Sequence, residues 1–470
     1  MNLSKAIALI TASIFGDKQL DKPKQGVFLL SNQFENEVGV YESLDDGALS
    51  WVGSYKTGGI GYPETQEDGD NLDSLGSSNS ISYHVWDDKQ WILVANAGGP
   101  SGEASISLME VNPTTLDLTL TSKMDLDGIF ACSVAAFENR VCAVTCAGSV
   151  TMECFRISDS YEIEQEFMHD FGANIPPVEG RPNATSAAYG PGNILFSGDG
   201  LQVGIIMKGN AALDEESGSA YSAPNAGFYA FPTKEYGYGS PSLIALPENS
   251  LPFAFSWRSG EVDTNKQIVL VANIAGESRD YPACGDIDRC QSSITSLLAD
   301  FDDDDNDDSS ITLSKVDEIN AGQADLCWID YRFSHFYTGN FLSDSVTIGT
   351  VTRDGELTVE RNSPIGRGTV PNDVVHMGRK IDGSFYLYTE NQGSAEVGVN
   401  RVIENESFQL EVKAGAPYPS GVTGDAWIGS HGLAATLLSE EELFDMYNYD
   451  VEMYDDVDLP NMRGGNRRNN

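Results

Sequence analysis

Residues 91–98 read WILVANAG, an apolar run that ends in Asn and is followed by a Gly-containing turn. Similar stretches recur along the chain, at positions 29–32, 144–148, 206–210, 271–276, 337–340 and 388–393. Seven copies about 50–65 residues apart fit four short antiparallel strands and their turns per unit, which is the repeat of a β-propeller. The sequence therefore predicts an all-β fold, a seven-bladed β-propeller.

The two ends of the repeat region complement each other. The first unit starts at Gly26 with the stretch typical of a second strand, and no inner strand precedes it. Residues 425–435 read DAWIGSHGLAA, an inner strand with nothing after it to complete a blade. Joining the two would remove exposed sheet edges. We expect the ring to be closed by a C-terminal inner strand that joins the N-terminal blade.

The regions outside the repeats divide the chain further. Residues 1–16 contain an apolar stretch too short to span a bilayer but suited to a signal peptide, so we expect a secreted, extracellular protein without an integral membrane segment. Residues 17–25 form a linker, and 26–437 form the propeller, with an acidic insertion at 300–310. Residues 438–470 form an acidic and then basic tail, expected to be flexible.

Charge limits the partners. The chain has 28 Lys and Arg against 71 Asp and Glu, a formal net charge of -43. Such a surface repels phosphate backbones, which argues against nucleic acid as a partner. It fits a soluble acidic protein, or a protein that binds cations.

The cysteines and sequons fit an oxidising compartment. Cys284 and Cys290 flank a polar loop and are expected to form a small disulfide. Four more cysteines fall within the third unit, where one or two cross-strand bridges could form: Cys132, Cys142, Cys146 and Cys154. Zinc is the alternative for this set, although the spacing matches no zinc knuckle and no histidine accompanies it. Cys327, beside Trp328, is expected to be a buried free thiol. Asn183 and Asn405 begin N-glycosylation sequons.

Several stretches resemble a known family. LGS at 75–77, WILVANAG at 91–98, SVA at 133–135 and VCAV at 141–144 are similar to lactonase-type seven-bladed propellers, described as 3-carboxymuconate cyclase-like or 6-phosphogluconolactonase-like. The resemblance runs from about Gly26 to Ala435. It implies His, Arg and Glu side chains around a central channel that bind a small acidic lactone and move its protons.

Two departures from that family pattern bear on activity. Where the family often has Arg-Pro-His after the third blade, this chain has Arg181, Pro182 and Asn183. Asn cannot act as a general base near neutral pH. The stretch 271–276 also lacks the Glu that some members carry near this point.

Four side chains lie at or beside the expected inner strands and could bind and polarise a carboxylated lactone. These catalytic candidates are Arg181, Arg332, His335 and His376. A structural salt bridge is the alternative for Arg181. For His335 and His376, as for His84 and His431, the alternative is a hydrogen-bonded histidine packed between blades.

The Asn residues at the strand ends suggest a metal site. If second strands end at one channel mouth, amide oxygens there could coordinate calcium. The candidates are Asn32, Asn96, Asn273 and Asn391, with Asn340 in the same pattern. Asn also tolerates the left-handed backbone needed to leave a strand, which is the favoured explanation. No cofactor is required, and calcium remains an option.

Two functions follow. The favoured one is a non-catalytic binding or scaffold protein that presents its channel mouth and loops to a protein or glycan. The other is a lactonase or cycloisomerase acting on a small acidic lactone. Arg and His side chains converging in the channel would favour the enzyme, and a mouth plugged by apolar side chains would favour the binder.

Overall fold

The computed structural model describes residues 22–62, 75, 77–98, 103–175, 190–208, 226–235, 237–246, 251–258, 266–274, 292–302, 310–332, 334–380, 385–403, 409–419, 432–439 and 442. Within these residues the chain forms seven antiparallel sheets. The sheets are the blades of a propeller, and the predicted seven-bladed architecture is confirmed.

The first four blades account for half of the chain. Blade one contains β1 (Gly26–Leu30), β2 (Glu37–Ser43) and β3 (Leu49–Lys56). Blade two contains β4 (Ile81–Trp86), β5 (Lys89–Asn96), β6 (Ser105–Val111) and β7 (Leu118–Asp125). Blade three contains β8 (Ile129–Phe137), β9 (Arg140–Ile157) and β10 (Ile163–Ile175). Blade four contains β11 (Pro191–Phe196), β12 (Gln202–Met207), β13 (Gly227–Pro232) and β14 (Ser242–Ala245).

The last three blades have four strands each, and a short strand follows them. Blade five contains β15 (Pro252–Trp257), β16 (Lys266–Asn273), β17 (Ser293–Asp302) and β18 (Ser310–Asn320). Blade six contains β19 (Leu326–Arg332), β20 (His335–Asn340), β21 (Ser345–Val351) and β22 (Leu357–Pro364), with a 3-10 helix at Phe341–Ser343. Blade seven contains β23 (Pro371–His376), β24 (Phe385–Asn391), β25 (Glu396–Ile403) and β26 (Gln409–Pro417), and β27 (Leu433–Ala435) follows.

The ring closes through β27. This strand pairs antiparallel with β1, Val27 opposite Ala435 and Leu29 opposite Leu433, and supplies the inner strand that blade one lacks. Each inner strand contacts the next around the ring, from β4 through β8, β11, β15, β19 and β23 to β27 and back to β4. The chain therefore closes as the sequence predicted, with β27 shorter than the stretch expected for it.

The sheet of blade three has three strands, and the 18-residue β9 takes the place of the second and third strands of the other blades. β9 folds back on itself, since Thr145 and Thr151 lie with their hydroxyl oxygens 2.8 Å apart and Ile157 N–H donates to the Asn139 carbonyl at 2.7 Å. Gly148 adopts a positive φ of 62° at the turn between the two arms. That backbone conformation suits Gly, which has no Cβ to clash.

Burial follows the position of a strand within its blade. β5 and β16, both second strands, are buried along nearly their whole length because neighbouring blades cover both faces. The outermost strands β7 and β26 mix exposed and partly buried residues, as expected for one solvated face. The apolar core therefore lies between the blades, and the inner strands are left to line the central channel.

The regions outside the blades are only partly described. Residues 1–21, and with them the expected signal peptide, lie outside the described residues, as do residues 303–309 of the acidic run. Asp302 pairs with Ser310 where β17 meets β18, so the ends of that run belong to strands of blade five. In the described part of the chain, no helix is long and apolar enough to cross a membrane.

Candidate functional site

The upper end of the channel, where the inner strands begin, is crossed by the segment that precedes β4. Ser77 Oγ donates to the Cys132 carbonyl at 2.7 Å, and Ser78 N–H donates to the Gly192 carbonyl at 2.8 Å. From blade six, Trp328 Nε1–H donates to the Ser77 carbonyl at 3.2 Å. We call Ser77, Ser78 and Trp328 the upper plug. It ties blades three, four and six together across the channel.

Below the upper plug lies a cavity of about 240 Å³. Six inner strands contribute to its walls, namely β4, β11, β15, β19, β23 and β27. Most of the described lining side chains are apolar, and they include Tyr83, Phe196, Trp257, Ile329 and Leu437. The polar groups are those of a few serines, Asn79, Asp330 and His376, together with the Tyr83 hydroxyl. The cavity is a concave apolar site with a small number of polar groups, the usual form of a ligand pocket.

The titratable groups of the cavity form one pair. His376, at the end of β23, contacts Asp330 Oδ2 on the adjacent inner strand β19 through its ring Nδ1. The backbone N–H of His376 donates to the same oxygen at 2.9 Å, which fixes the two strands relative to each other. The side chains are 6% exposed for His376 and 19% for Asp330. A carboxylate that accepts from Nδ1–H of a neutral imidazole leaves the lone pair on Nε2, which in His376 is a buried atom.

Arg332 lies two residues beyond Asp330 on the same face of β19. Burial of Asp330 opposes its ionisation, but the His376 ring, its hydrogen bonds and the Arg332 guanidinium outweigh burial and lower the pKa of the Asp330 carboxyl. A lowered pKa keeps the carboxylate charged at neutral pH, so it can stabilise a protonated His376 during a reaction.

The segment after β27 crosses the lower end of the channel. The Thr436 carbonyl accepts from Gly378 N–H of blade seven at 2.9 Å, and the Leu437 carbonyl lies 3.5 Å from Arg332 Nη2 of blade six. Ser439 N–H donates to Glu442 Oε2 at 2.7 Å, and Glu442 N–H donates to Ser439 Oγ at 3.1 Å. Gln25 Nε2 donates to the Leu438 carbonyl at 3.0 Å, so the first residue of the expected tail contacts blade one, and Leu437 lines the cavity.

The other catalytic candidates do not join this pair. His335 lies on the second strand β20, with Nε2 3.7 Å from Glu360 Oε2 on the outermost strand, and it does not line the cavity. His84 Nε2 lies 2.7 Å from the Glu138 carbonyl oxygen, and burial lowers the pKa of its ring. Arg181 and His431 lie outside the described residues.

The Asn residues at the strand ends bond within and between blades. Asn96 Nδ2 donates to the hydroxyls of Ser105 and Ser107, and Asn340 Nδ2 does the same to Ser345 and Thr347 at 2.9 Å each. Asn273 repeats the pattern in blade five with Ser293 and Thr295. Asn32 has a φ of 51°. Its Nδ2 donates to the Tyr62 carbonyl, and its Oδ1 accepts from the Tyr62 N–H, at 2.9 Å each. Asn391 is buried at the end of β24. In the described part of the chain, no group of three or more His, Cys, Asp or Glu could hold a metal ion.

The cysteines of blade three form two disulfides, Cys132–Cys146 and Cys142–Cys154. Because all four sulfurs are bonded, the zinc alternative for this set does not hold. Cys327 is a buried free thiol, as predicted. The Cys284–Cys290 pair and both sequons lie outside the described residues.

Sequence reasoning missed Asp330 and the cavity walls. The signal for Asp330 was present, because Trp328, Asp330 and Arg332 alternate along one inner strand and so share a face. What the sequence could not supply was the partner, since Asp330 and His376 are 46 residues apart and meet only because blades six and seven are neighbours.

No protein-family model matches the sequence, and no curated protein sequence matches it. Solved structures do share the fold. A periplasmic gluconolactonase of Pseudomonas aeruginosa superposes with a TM-score of 0.58 at 10% identity, over 88% of this chain and 99% of that one. A putative 6-phosphogluconolactonase of Bacteroides fragilis gives 0.55 at 12% identity, over 88% and 98%. One of Bacteroides uniformis gives 0.55 at 13%, over 88% and 100%. The chain therefore has the fold of the lactonase-type seven-bladed propellers.

Proposed function

We propose that the protein is a lactone hydrolase whose reaction takes place in the cavity between the upper plug and the segment after β27. The observation that carries this proposal is the Asp330–His376 pair, buried in the channel on two adjacent inner strands. The fold, shared with structures described as lactonases, supports the reaction class.

The reaction needs only water as co-substrate. His376 Nε2 takes a proton from water, and the hydroxide adds to the carbonyl carbon of the lactone. The ring C–O bond then breaks, and the leaving oxygen takes the proton from His376, giving a hydroxy acid. Asp330 orients the imidazole and stabilises its protonated form, and the Ser256 hydroxyl lines the cavity where it could donate to the carbonyl oxygen.

The cellular location belongs to the same proposal. Two disulfides in one blade support an oxidising compartment, because they are rarely maintained in a reducing cytosol. The similar structure from Pseudomonas aeruginosa is described as periplasmic. We propose a secreted or otherwise extracytoplasmic enzyme, and the mass of the mature protein would show whether residues 1–16 are removed.

The test measures the hydrolysis of δ-lactones by monitoring proton release, with calcium and with a chelator. It compares wild type, His376→Ala and His335→Ala. We expect His376→Ala to lower kcat by about 10²–10⁴-fold, the usual contribution of a general base. His335→Ala is the matched control, because His335 is a buried histidine of β20 that does not line the cavity. Equal losses in the two variants, or none in His376→Ala, would contradict the proposal.

A non-catalytic binding protein for a protein or glycan is the second candidate. The upper plug favours it, because the buried Trp328 donates to the Ser77 carbonyl across the end of the channel where the inner strands begin. Folded wild-type protein that hydrolyses no lactone would make this the working function.

A further inference from the structure

We infer that the cavity takes a neutral lactone with a short apolar substituent rather than a carboxylated or phosphorylated lactone. This inference rests on the proposed hydrolase function and names its substrate class. It also departs from the acidic lactone expected from the sequence resemblance. Three features of the cavity carry it: its charges, its walls and its size.

The charges disfavour an anion. Among the described residues that line the cavity, none is a lysine or arginine, and the acidic residue is Asp330. Arg332 lies outside the lining, beside Asp330 and 3.5 Å from the Leu437 carbonyl. Carboxylates and phosphates are normally bound by Arg, Lys or helix N-termini. Among these described residues a second anion would meet the Asp330 carboxylate and no lysine or arginine, which opposes binding.

The walls favour an apolar substituent. Tyr83 and Phe196 are 7% and 8% exposed, and Trp257, whose Nε1–H donates to the Leu195 carbonyl at 3.2 Å, is 5% exposed and also lines the cavity. Ile329 and Leu437 complete an apolar lining around the catalytic pair. In such a pocket one methylene group changes kcat/KM by about 10-fold or more.

The size limits the substituent. A cavity of about 240 Å³ falls below the range of about 300–1,000 Å³ typical of drug-sized ligands. It holds a lactone ring and a short chain. A sugar lactone would bring several hydroxyl groups into a space whose described polar lining is a few serines, Asn79, the Tyr83 hydroxyl and the catalytic pair, so some hydroxyls would lose hydrogen bonds on binding.

The experiment compares three δ-lactones with full-length protein: one with a short alkyl chain, one whose chain of equal length ends in a carboxylate, and glucono-δ-lactone. We expect kcat/KM for the alkyl lactone to exceed that for each of the others by at least about 10-fold. Equal or reversed preference, with turnover that still requires His376, would overturn the inference and leave the hydrolase proposal standing. No turnover of any lactone by folded protein would overturn both.

A charge variant tests the reason for the preference. Ser82 lines the cavity from β4, and Ser82→Arg would add a cation to a lining whose described residues include no lysine or arginine. We expect it to raise kcat/KM for the carboxylated lactone relative to the alkyl lactone by about 10-fold, while the uncharged control Ser82→Gln does not. An unchanged preference in folded Ser82→Arg would contradict the charge argument. If Ser82→Arg does not fold, the three-lactone comparison decides alone.

Discussion

Blade three uses its reactive side chains for covalent cross-links, whereas the junction of blades six and seven holds the candidate catalytic side chains. Blade three holds two buried disulfides, and its inner strand β8 contributes none of the described residues that line the cavity. Blades six and seven contain one cysteine between them, the free thiol Cys327, and their inner strands carry Asp330 and His376. Covalent reinforcement and candidate chemistry thus lie in different blades, so the two can be perturbed separately.

The blades also fix the turn between second and third strands differently. In blade six Asn340 donates to the hydroxyls of Ser345 and Thr347. In blade three the corresponding residue is Thr145, which contacts Thr151, and the disulfide Cys142–Cys154 joins the same two arms. In blade six the Asn340 amide joins the two arms of this turn by hydrogen bonds, whereas in blade three the arms are joined by a disulfide.

The largest expected effect is on activity at the junction. Asp330→Asn removes the charge that stabilises protonated His376, and we expect kcat to fall by about 10²-fold. Asp373→Asn is the matched control, since Asp373 is a buried carboxylate of β23 that accepts from Leu433 N–H at 3.0 Å and does not line the cavity. Steady-state kinetics measures kcat for both variants. An equal loss of kcat in Asp373→Asn and Asp330→Asn would contradict a special role for Asp330.

The next effect is on the stability of blade three. Replacing Cys142 and Cys154 together by Ser opens a loop of 12 residues, and we expect the free energy of unfolding to fall by about 3 kcal/mol. The kinetic constants should stay at the wild-type values, because the bridge lies outside the cavity. Urea unfolding measures the first and lactone hydrolysis the second. Loss of activity in the folded double variant, but not in the control Cys327→Ser, would show that the disulfide of blade three affects catalysis and would contradict this prediction.

A smaller effect separates the two kinds of turn. Asn340→Ala leaves the Ser345 and Thr347 hydroxyls without that donor, and we expect a loss of about 1–2 kcal/mol in the free energy of unfolding. Thr145→Val should cost less, since Cys142–Cys154 already holds its arms together. Thermal and urea unfolding of the two variants would contradict this account if the order were reversed.

The smallest effect is on the pH dependence of stability. The pKa of Asp330 is lowered in the folded protein, so its ionised form stabilises the fold above the unfolded-state pKa of about 3.9. This contribution should disappear as the pH falls through the lower folded-state pKa. We therefore expect wild type and Asp330→Asn to differ most near neutral pH and to converge in acid. Urea unfolding of both variants across this pH range measures the difference in their free energies of unfolding. A difference that grew in acid would contradict the predicted sign.

The sequence predicted the architecture because strand repeats and turn residues are local signals. The stretch at 91–98 and its copies gave the blade number, and the unpaired first and last strands gave the closure by β27. The site depended on contacts between blades. His376 was identified, but its partner Asp330 was not, because no local pattern relates two inner strands of different blades. His335 was predicted as a catalytic candidate together with His376. It lies on β20, and its side chain is near Glu360 on the outermost strand β22.

A double-mutant cycle on Asp330 and His376 tests the central claim that these residues act as one catalytic unit. The measurement is kcat for hydrolysis of the alkyl δ-lactone by wild type, Asp330→Asn, His376→Ala and the double variant. Because Asp330 acts through His376, we predict that Asp330→Asn has almost no further effect once His376 is gone. Losses that multiply independently in the double variant would contradict the account.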